Sequence, residues 1–324
     1  METSARAFVG FDGYVDRIQK AVRSKSPTGS HYVETIGEVA DLMQTMAGKS
    51  GQIELVTLAT KIGGNAPILA NALAALGVSN CCVGPLDDPI FEQMHAACER
   101  VSLGPPATTN ALEFGDGKIM LSEVAPFEVL HWTYLADRIG LETLREQYRR
   151  SQLLAFVDWA NLPHGNDLWA GYRIHIVETT PVASPPHFLF DLCDPTKRST
   201  DEVCACLAIV ASYTPYGSVT LGMNENEARR IYIALHGHNP ADSVRLAQTP
   251  DLPAVATYIR QQIGRSAGAV PRVLIHPTAS SLVATDSGIE QQTGRLVPVP
   301  KVLTGAGDNL NAGYCWGQSN RAGP

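Results

Sequence analysis

Leu303-Thr304-Gly305-Ala306-Gly307-Asp308-Asn309-Leu310-Asn311-Ala312-Gly313 is the stretch on which the reading of this chain turns. A strand-like VPVPKV at 297–302 precedes it, and a helical pattern follows. Glycines at such a junction let backbone N–H groups converge on an anion, and a helix N-terminus adds roughly half a positive charge. Phosphoryl transfer has this requirement, because negative charge on the transferred group must be stabilised. Asp308 falls on the first helical turn. The local positive field is expected to keep its carboxylate ionised and able to take a proton from an alcohol. In isolation, a G-x-G-D is more often a glycine turn followed by a capping aspartate. The rest of the chain has to decide.

Three further stretches bear on the question. Gly63-Gly64-Asn65-Ala66-Pro67 lies between a strand and a helix. Paired glycines permit close backbone approach to a ligand, and Asn65 carries both donors and acceptors; a tight turn would look the same. Asn224-Glu225-Asn226-Glu227 opens a helix after the apolar run ending at Leu221. The N-x-x-E spacing puts Asn224 and Glu227 one turn apart, where they could hold Mg²⁺ through water or form a capping box. Gly10-Phe11-Asp12-Gly13-Tyr14-Val15-Asp16 follows the first strand. Carboxylates at strand ends of α/β sheets lie where ligands bind, and a carboxylate can accept from two neighbouring hydroxyls of a sugar. The plainer alternatives are an Asx-turn for Asp12 and a surface charge for Asp16. The loop in 156–169 (FVDWANLPHGNDLW) offers Asn161, His164 and Asn166 after a strand end.

Between these stretches short apolar runs alternate with helical patterns, the order of a mainly parallel sheet covered on both faces. Strands are expected at 7–10, 53–60, 79–83, 153–158, 187–192, 217–221, 272–276 and 281–285, and helices at 65–77, 137–150, 200–212, 225–236 and 251–265. Residues 14–35 and 107–124 break the rhythm with alternating patterns, the second turning at Gly115-Asp116-Gly117. Together they are expected to form a small β lid on a single domain spanning 1–324, with a helix and loop at 36–52 beside it.

Composition excludes several classes. Charged residues make up 18% of the 324, below the usual quarter, which argues against disorder. A net charge of −7 argues against nucleic-acid binding, which needs clustered Lys and Arg. The N-terminus METSARAFVGFDGYVD has no apolar signal region, and no stretch reaches membrane-spanning length. The expectation is a soluble, cytoplasmic protein that does not engage a membrane. The seven cysteines are an odd number without C-x-x-C, which reads as free thiols in a reducing compartment.

Taken in order, these signals resemble the ribokinase-like (PfkB-type) carbohydrate kinase family. GGNAPILANALAALG (63–77) resembles its glycine-pair motif, and VGPLDDPIF (83–91) the segment that follows. FDLCDPTKRS (190–199) resembles a strand with Asp-Pro and a downstream Arg. MNENEARRI (223–231) resembles its N-x-x-E helix start, and TGAGDNLNAG (304–313) its C-terminal signature. The match is collinear from about 7 to 317.

The resemblance implies a Rossmann-like three-layer αβα core with a small β-sheet lid. It implies transfer of the ATP γ-phosphoryl group to a hydroxyl of a sugar, sugar derivative or nucleoside, with Mg²⁺. Asp308 would be the base, and the N–H groups of Gly305, Ala306 and Gly307 the anion hole. Asp16, Gly63, Gly64 and Asn65 would hold the substrate, with Asp12 a further nearby carboxylate and Asn161 and His164 added from their loop. Asn224, Thr278, Ser281 and Thr304 would lie along the nucleotide, and Glu227 and Asn224 would meet Mg²⁺ through water. An exposed lid edge would invite a homodimer.

Several positions depart from the family pattern. Its T-x-G-x-x-G segment stands here as His276-Pro277-Thr278-Ala279-Ser280-Ser281, without either glycine. Val302 replaces an Asp that supports a monovalent-cation site, so weak or no K⁺ activation is expected. Ile68 stands where an Asn is usual. Members usually continue with a helix-loop-helix that partly encloses the adenine, whereas the sequence ends at Pro324; a truncated chain or an open, weak nucleotide pocket is expected. Two alternatives therefore accompany the kinase: a sugar- or nucleotide-binding protein of the same fold with impaired catalysis, and an ADP-dependent sugar kinase. A dinucleotide-dependent oxidoreductase is disfavoured, because no G-x-G-x-x-G opens the first β-α turn.

Overall fold

The structure, a computed structural model, describes residues 6–265, 270–295, 297 and 305–321, with the side chains of 319–321 left out. In chain order the strands are β1 (Arg6–Gly10), β2 (Tyr14–Ser26), β3 (Gly29–Tyr32), β4 (Leu55–Gly63), β5 (Ser79–Gly84), β6 (Cys98–Ser102) and β7 (Ala107–Phe114). There follow β8 (Gly117–Glu123), β9 (Leu153–Phe156), β10 (His187–Asp191), β11 (Ser218–Met223), β12 (Arg272–Ile275), β13 (Ser280–Thr285) and β14 (Gly288–Thr293).

Nine strands form one sheet in the order β14-β13-β12-β11-β10-β9-β1-β5-β6. It is parallel from β6 to β12 and antiparallel only at the β12–β13–β14 edge. Side chains alternate faces along a strand. Ala7, Val9, Leu153, Ala155 and Leu189 therefore pack against the helix Asn65–Ala75 and the last helix, Ala306–Arg321. Phe8, Phe156, Phe188 and Phe190 face the opposite way, into an aromatic layer with Trp159, Trp169, Tyr172 and Tyr213. That layer is closed by the helices Leu141–Arg150, Thr200–Ala211, Glu225–Leu235 and Leu252–Gly264. This is the expected three-layer αβα core.

The second sheet joins β2, β3, β7 and β8 and also takes in β4, which pairs antiparallel with β2. The apolar run at 53–60 thus belongs to the lid, not to the β-α rhythm in which its pattern placed it. The helix expected at 137–150 is two helices, Trp132–Ile139 and Leu141–Arg150, because Gly140 between them takes φ +90°. No disulfide is formed among the described residues, and five of the seven cysteines are buried. Among the described residues no helix is long and apolar enough to cross a membrane.

Candidate active site

Where β1 ends and β4 runs into its helix, two aspartates divide the work. Asp12 is fully buried and accepts from the N–H groups of Asn65 and Ala66, each at 2.7 Å. It supplies the cap that the helix Asn65–Ala75 lacks locally, because its N-cap is Gly64. Gly64 takes φ +96°, and a Cβ there would lie 2.7 Å from Asp12 Oδ2. Asp16 reaches the same corner from β2. Its carboxylate covers Gly63, where a Cβ would sit 2.3 Å from Oδ1. The glycine pair thus makes room for two acids as well as for a ligand. Burial raises the Asp16 carboxyl above its ordinary value, against Lys118 and the Thr109 hydroxyl, which lower it.

Asp158, just beyond β9, forms the opposite wall. It takes a left-handed φ of 59° and is fully buried. Tyr14 OH donates to its Oδ2 at 3.2 Å, and Asn161 Nδ2 donates to Oδ1 at 2.7 Å. Burial pushes its carboxyl up to about 7 despite these donors. At the end of β10, Asp191 accepts from the Cys193 N–H at 3.0 Å and from Asn311 Nδ2 at 2.8 Å. That second bond ties the last helix to the strand ends. Gly222 permits it, since a Cβ there would be 3.0 Å from Asn311 Oδ1.

The last helix so anchored presents its N-terminus to the cleft. Gly305 takes φ +79° and packs against Ile68, and Gly307 leaves room for His276, whose Cε1 would be 2.9 Å from a Cβ. First-turn N–H groups have no acceptor within their own helix, so those of the 305–307 turn are available to an anion. Asp308 is 7% exposed, and its Oδ1 has no hydrogen-bond partner among the described residues. Burial raises its carboxyl well above the usual range, and the carboxylates of Asp191, Asp12, Asp158 and Glu227 raise it further. Burial and these acidic neighbours act against the ionised form, which the helix N-terminus favours.

Tyr14, Asp16, Gly64, Asn65, Asp158, Asn161, Gly305 and Asp308 share one cleft of about 390 Å³ under the lid, which contributes Thr109, Met120 and Ser122. A second recess of about 530 Å³ is lined by Asn224, Asn226, Arg229, His276 and Thr278. His276 connects the recess to the glycine turn.

Other expected positions fall elsewhere. Asp12 accepts from two helix N–H groups and is not among the residues that line the cleft. His164 is exposed and packs edge-on to His131, because it stands at the start of the helix Gly165–Tyr172. Asn166 accepts from Trp159 Nε1 at 2.8 Å. Ser281 lies in β13 opposite Gln292, outside the recess that Thr278 lines. Glu227 and Asn224 form a reciprocal capping box, at 2.8 and 2.9 Å. Asn224 lines the recess, while Glu227 is buried behind it with its carboxyl pushed up to about 8 by burial and by Asp191. Thr304 and Val302 lie outside the described residues. Sequence reading missed Asp158, Tyr14 and Cys193. The available signal was an Asp closing a buried strand beside the Asn161 loop, at the strand ends where α/β sheets bind ligands.

Comparison with known proteins agrees with this architecture. A family model described as prokaryotic ketohexokinase matches residues 2–322. A curated ketohexokinase from Haloferax volcanii is 29% identical over 318 residues, covering 95% of this chain and 80% of that protein. Among solved structures, a carbohydrate kinase from Agrobacterium tumefaciens superposes with a TM-score of 0.59 at 18% identity, covering 98% of this chain and 84% of the other. A mutant of phosphofructokinase-2 from Escherichia coli superposes with a TM-score of 0.61 at 14% identity, covering 99% and 88%. At those identities the superpositions bear on fold alone. The chain is a carbohydrate kinase, a phosphotransferase of ribokinase-like (PfkB-type) fold, and belongs to the prokaryotic ketohexokinase family.

Proposed function

We propose that the chain transfers the γ-phosphoryl group of ATP to a primary hydroxyl of a ketohexose. One observation carries the chemistry: Asp308, with a carboxyl oxygen unpartnered among the described residues, stands on the first turn of a helix in the same cleft as Asp16, Asn65 and Asp158. The polyhydroxyl substrate is gripped by the Asp16 and Asp158 carboxylates and the Asn65 amide, with Met120 of the lid over it. Asp308 accepts the hydroxyl proton as the new O–P bond forms. The N–H groups of Gly305, Ala306 and Gly307 stabilise the charge on the transferred group. The nucleotide lies along the recess of Asn224 and Thr278.

A divalent cation would offset the charge that Asp191, Asp12, Asp158 and Glu227 exert on Asp308, whose Oδ1 lacks a partner among the described residues. Among the described residues no three acidic, His or Cys side chains are grouped so as to hold a metal ion. Asp308 and the Asn224–Glu227 pair would meet Mg²⁺ through water while the nucleotide phosphates hold it. Mg²⁺ supplies positive charge that offsets the cluster and the phosphates. That charge would favour the ionised form of Asp308, the form that accepts the hydroxyl proton. The free edge at β8 and half-exposed Leu58 and Leu121 support a homodimer through the lid.

The test is turnover of Mg-ATP with fructose, other ketohexoses, aldohexoses, ribose and nucleosides, with ³¹P NMR of the product. Preference for a ketohexose, phosphorylated on a primary hydroxyl, is expected. Preference for a nucleoside, or no turnover across the panel, contradicts the reading.

A further inference from the structure

The cleft has a charge problem. Asp16, Asp158, Asp194 and Asp308 all line it, and Lys197 is the one cationic side chain lining it among the described residues. An anionic phosphoryl group entering such a cleft meets repulsion that helix N–H groups only partly offset.

Two basic residues stand side by side in the 190–199 segment, and the structure separates their tasks. Arg198 is not among the residues that line the cleft, and its terminal nitrogens are engaged elsewhere. Its guanidinium lies over the Trp159 ring at 4.6 Å, donates to the Leu162 carbonyl at 3.2 Å and pairs with Glu202 at 3.3 Å. Lys197 forms no ion pair among the described residues and is exposed to the cleft. Its backbone is held on both sides. Asp194 accepts from the Thr196 N–H at 3.0 Å and caps the short turn Pro195–Lys197, and Pro195 is buried. Arg198 then locks the residue that follows. The anchor delivers a flexible ammonium to the cleft that Gly305 and Asp308 also line.

We propose that Lys197 is a catalytic residue whose ammonium contacts the non-bridging oxygens of the phosphoryl group in flight. The proposal rests on the kinase reading above. The sugar oxygen forms its bond to phosphorus as the bond from phosphorus to the β–γ bridging oxygen breaks. That electron pair leaves with ADP, and the hydroxyl proton goes to Asp308. Lys197 keeps its proton throughout and acts by charge alone, which a flexible point charge can follow from donor to acceptor.

The experiment compares wild type, Lys197→Met and Lys197→Arg, with Asp308→Asn beside them. It reads kcat and KM for a ketohexose, calorimetric sugar binding, and binding of Mg-ADP with aluminium fluoride plus the ketose, which mimics the transferred group. Lys197→Met should lower kcat about a hundredfold to a thousandfold, the usual effect of removing one such electrostatic contact. It should weaken the fluoride complex by a similar factor, with sugar binding unchanged. Lys197→Arg should restore most of kcat. An active wild type matched by Lys197→Met overturns this proposal alone. Loss of sugar binding and a lowered melting temperature in Lys197→Met assigns the residue to loop structure and also overturns it. A wild type inactive on every ketohexose removes the kinase reading, and this proposal with it.

Discussion

Asp12→Ala and Asp16→Ala separate an acid that builds the site from an acid that uses it. Asp12 holds two backbone N–H groups at 2.7 Å each and is fully buried. Its removal strands both donors, at about 1–3 kcal/mol each. The opposing gain is relief from burying a carboxyl that desolvation and Asp158 already disfavour in ionised form. A net loss of about 2–4 kcal/mol is expected in urea unfolding, with the midpoint lowered and the slope kept. Asp16 has only the Thr109 hydroxyl and the charge of Lys118 in its favour. Its removal should change stability by less than about 1 kcal/mol and raise the sugar KM by more than about tenfold. Equal stability of Asp12→Ala and wild type, together with a raised KM, would refute the assignment and return Asp12 to the substrate.

Burial holds the carboxyls of Asp158 and Glu227 up to about 7 and about 8. A carboxyl raised in the folded state gives stability below its ordinary value and loses it as pH rises through the folded value. The melting temperature of the ligand-free protein should therefore fall from pH 5 to pH 9, and Mg-ATP should flatten the fall; a rise over that range would contradict the acid cluster. Gly63→Ala places a Cβ 2.3 Å from Asp16 Oδ1. It should displace that carboxylate and weaken sugar binding by calorimetry by about tenfold or more, and unchanged affinity would show that Asp16 does not grip the sugar.

The sheet and its helices were legible because short apolar runs such as Leu153–Phe156 and capped helices such as Glu225–Leu235 carry their signals locally. Lid membership of β4 was not, since its partner β2 lies about forty residues away and a strand's pattern does not name its neighbour. The glycine turn and Asp308 were legible as a motif, but the raised Asp308 carboxyl was not. It arises from burial first and then from Asp191, Asp12, Asp158 and Glu227, which meet only in three dimensions. The partners of Asp12 were hidden for the same reason: the N–H groups that donate to it lie 53 and 54 residues downstream. The contact of His164 with His131 was not legible, because an exposed loop His carries no mark of which way it faces.

Asp308→Asn keeps the side chain's size and removes the proton acceptor. The decisive measurement is kcat of this variant on a ketohexose, paired with calorimetric sugar affinity. A fall in kcat of about 10²–10⁴-fold with affinity preserved is the predicted result. Near-wild-type turnover, or a loss explained wholly by failure to bind sugar, would contradict the role given to Asp308.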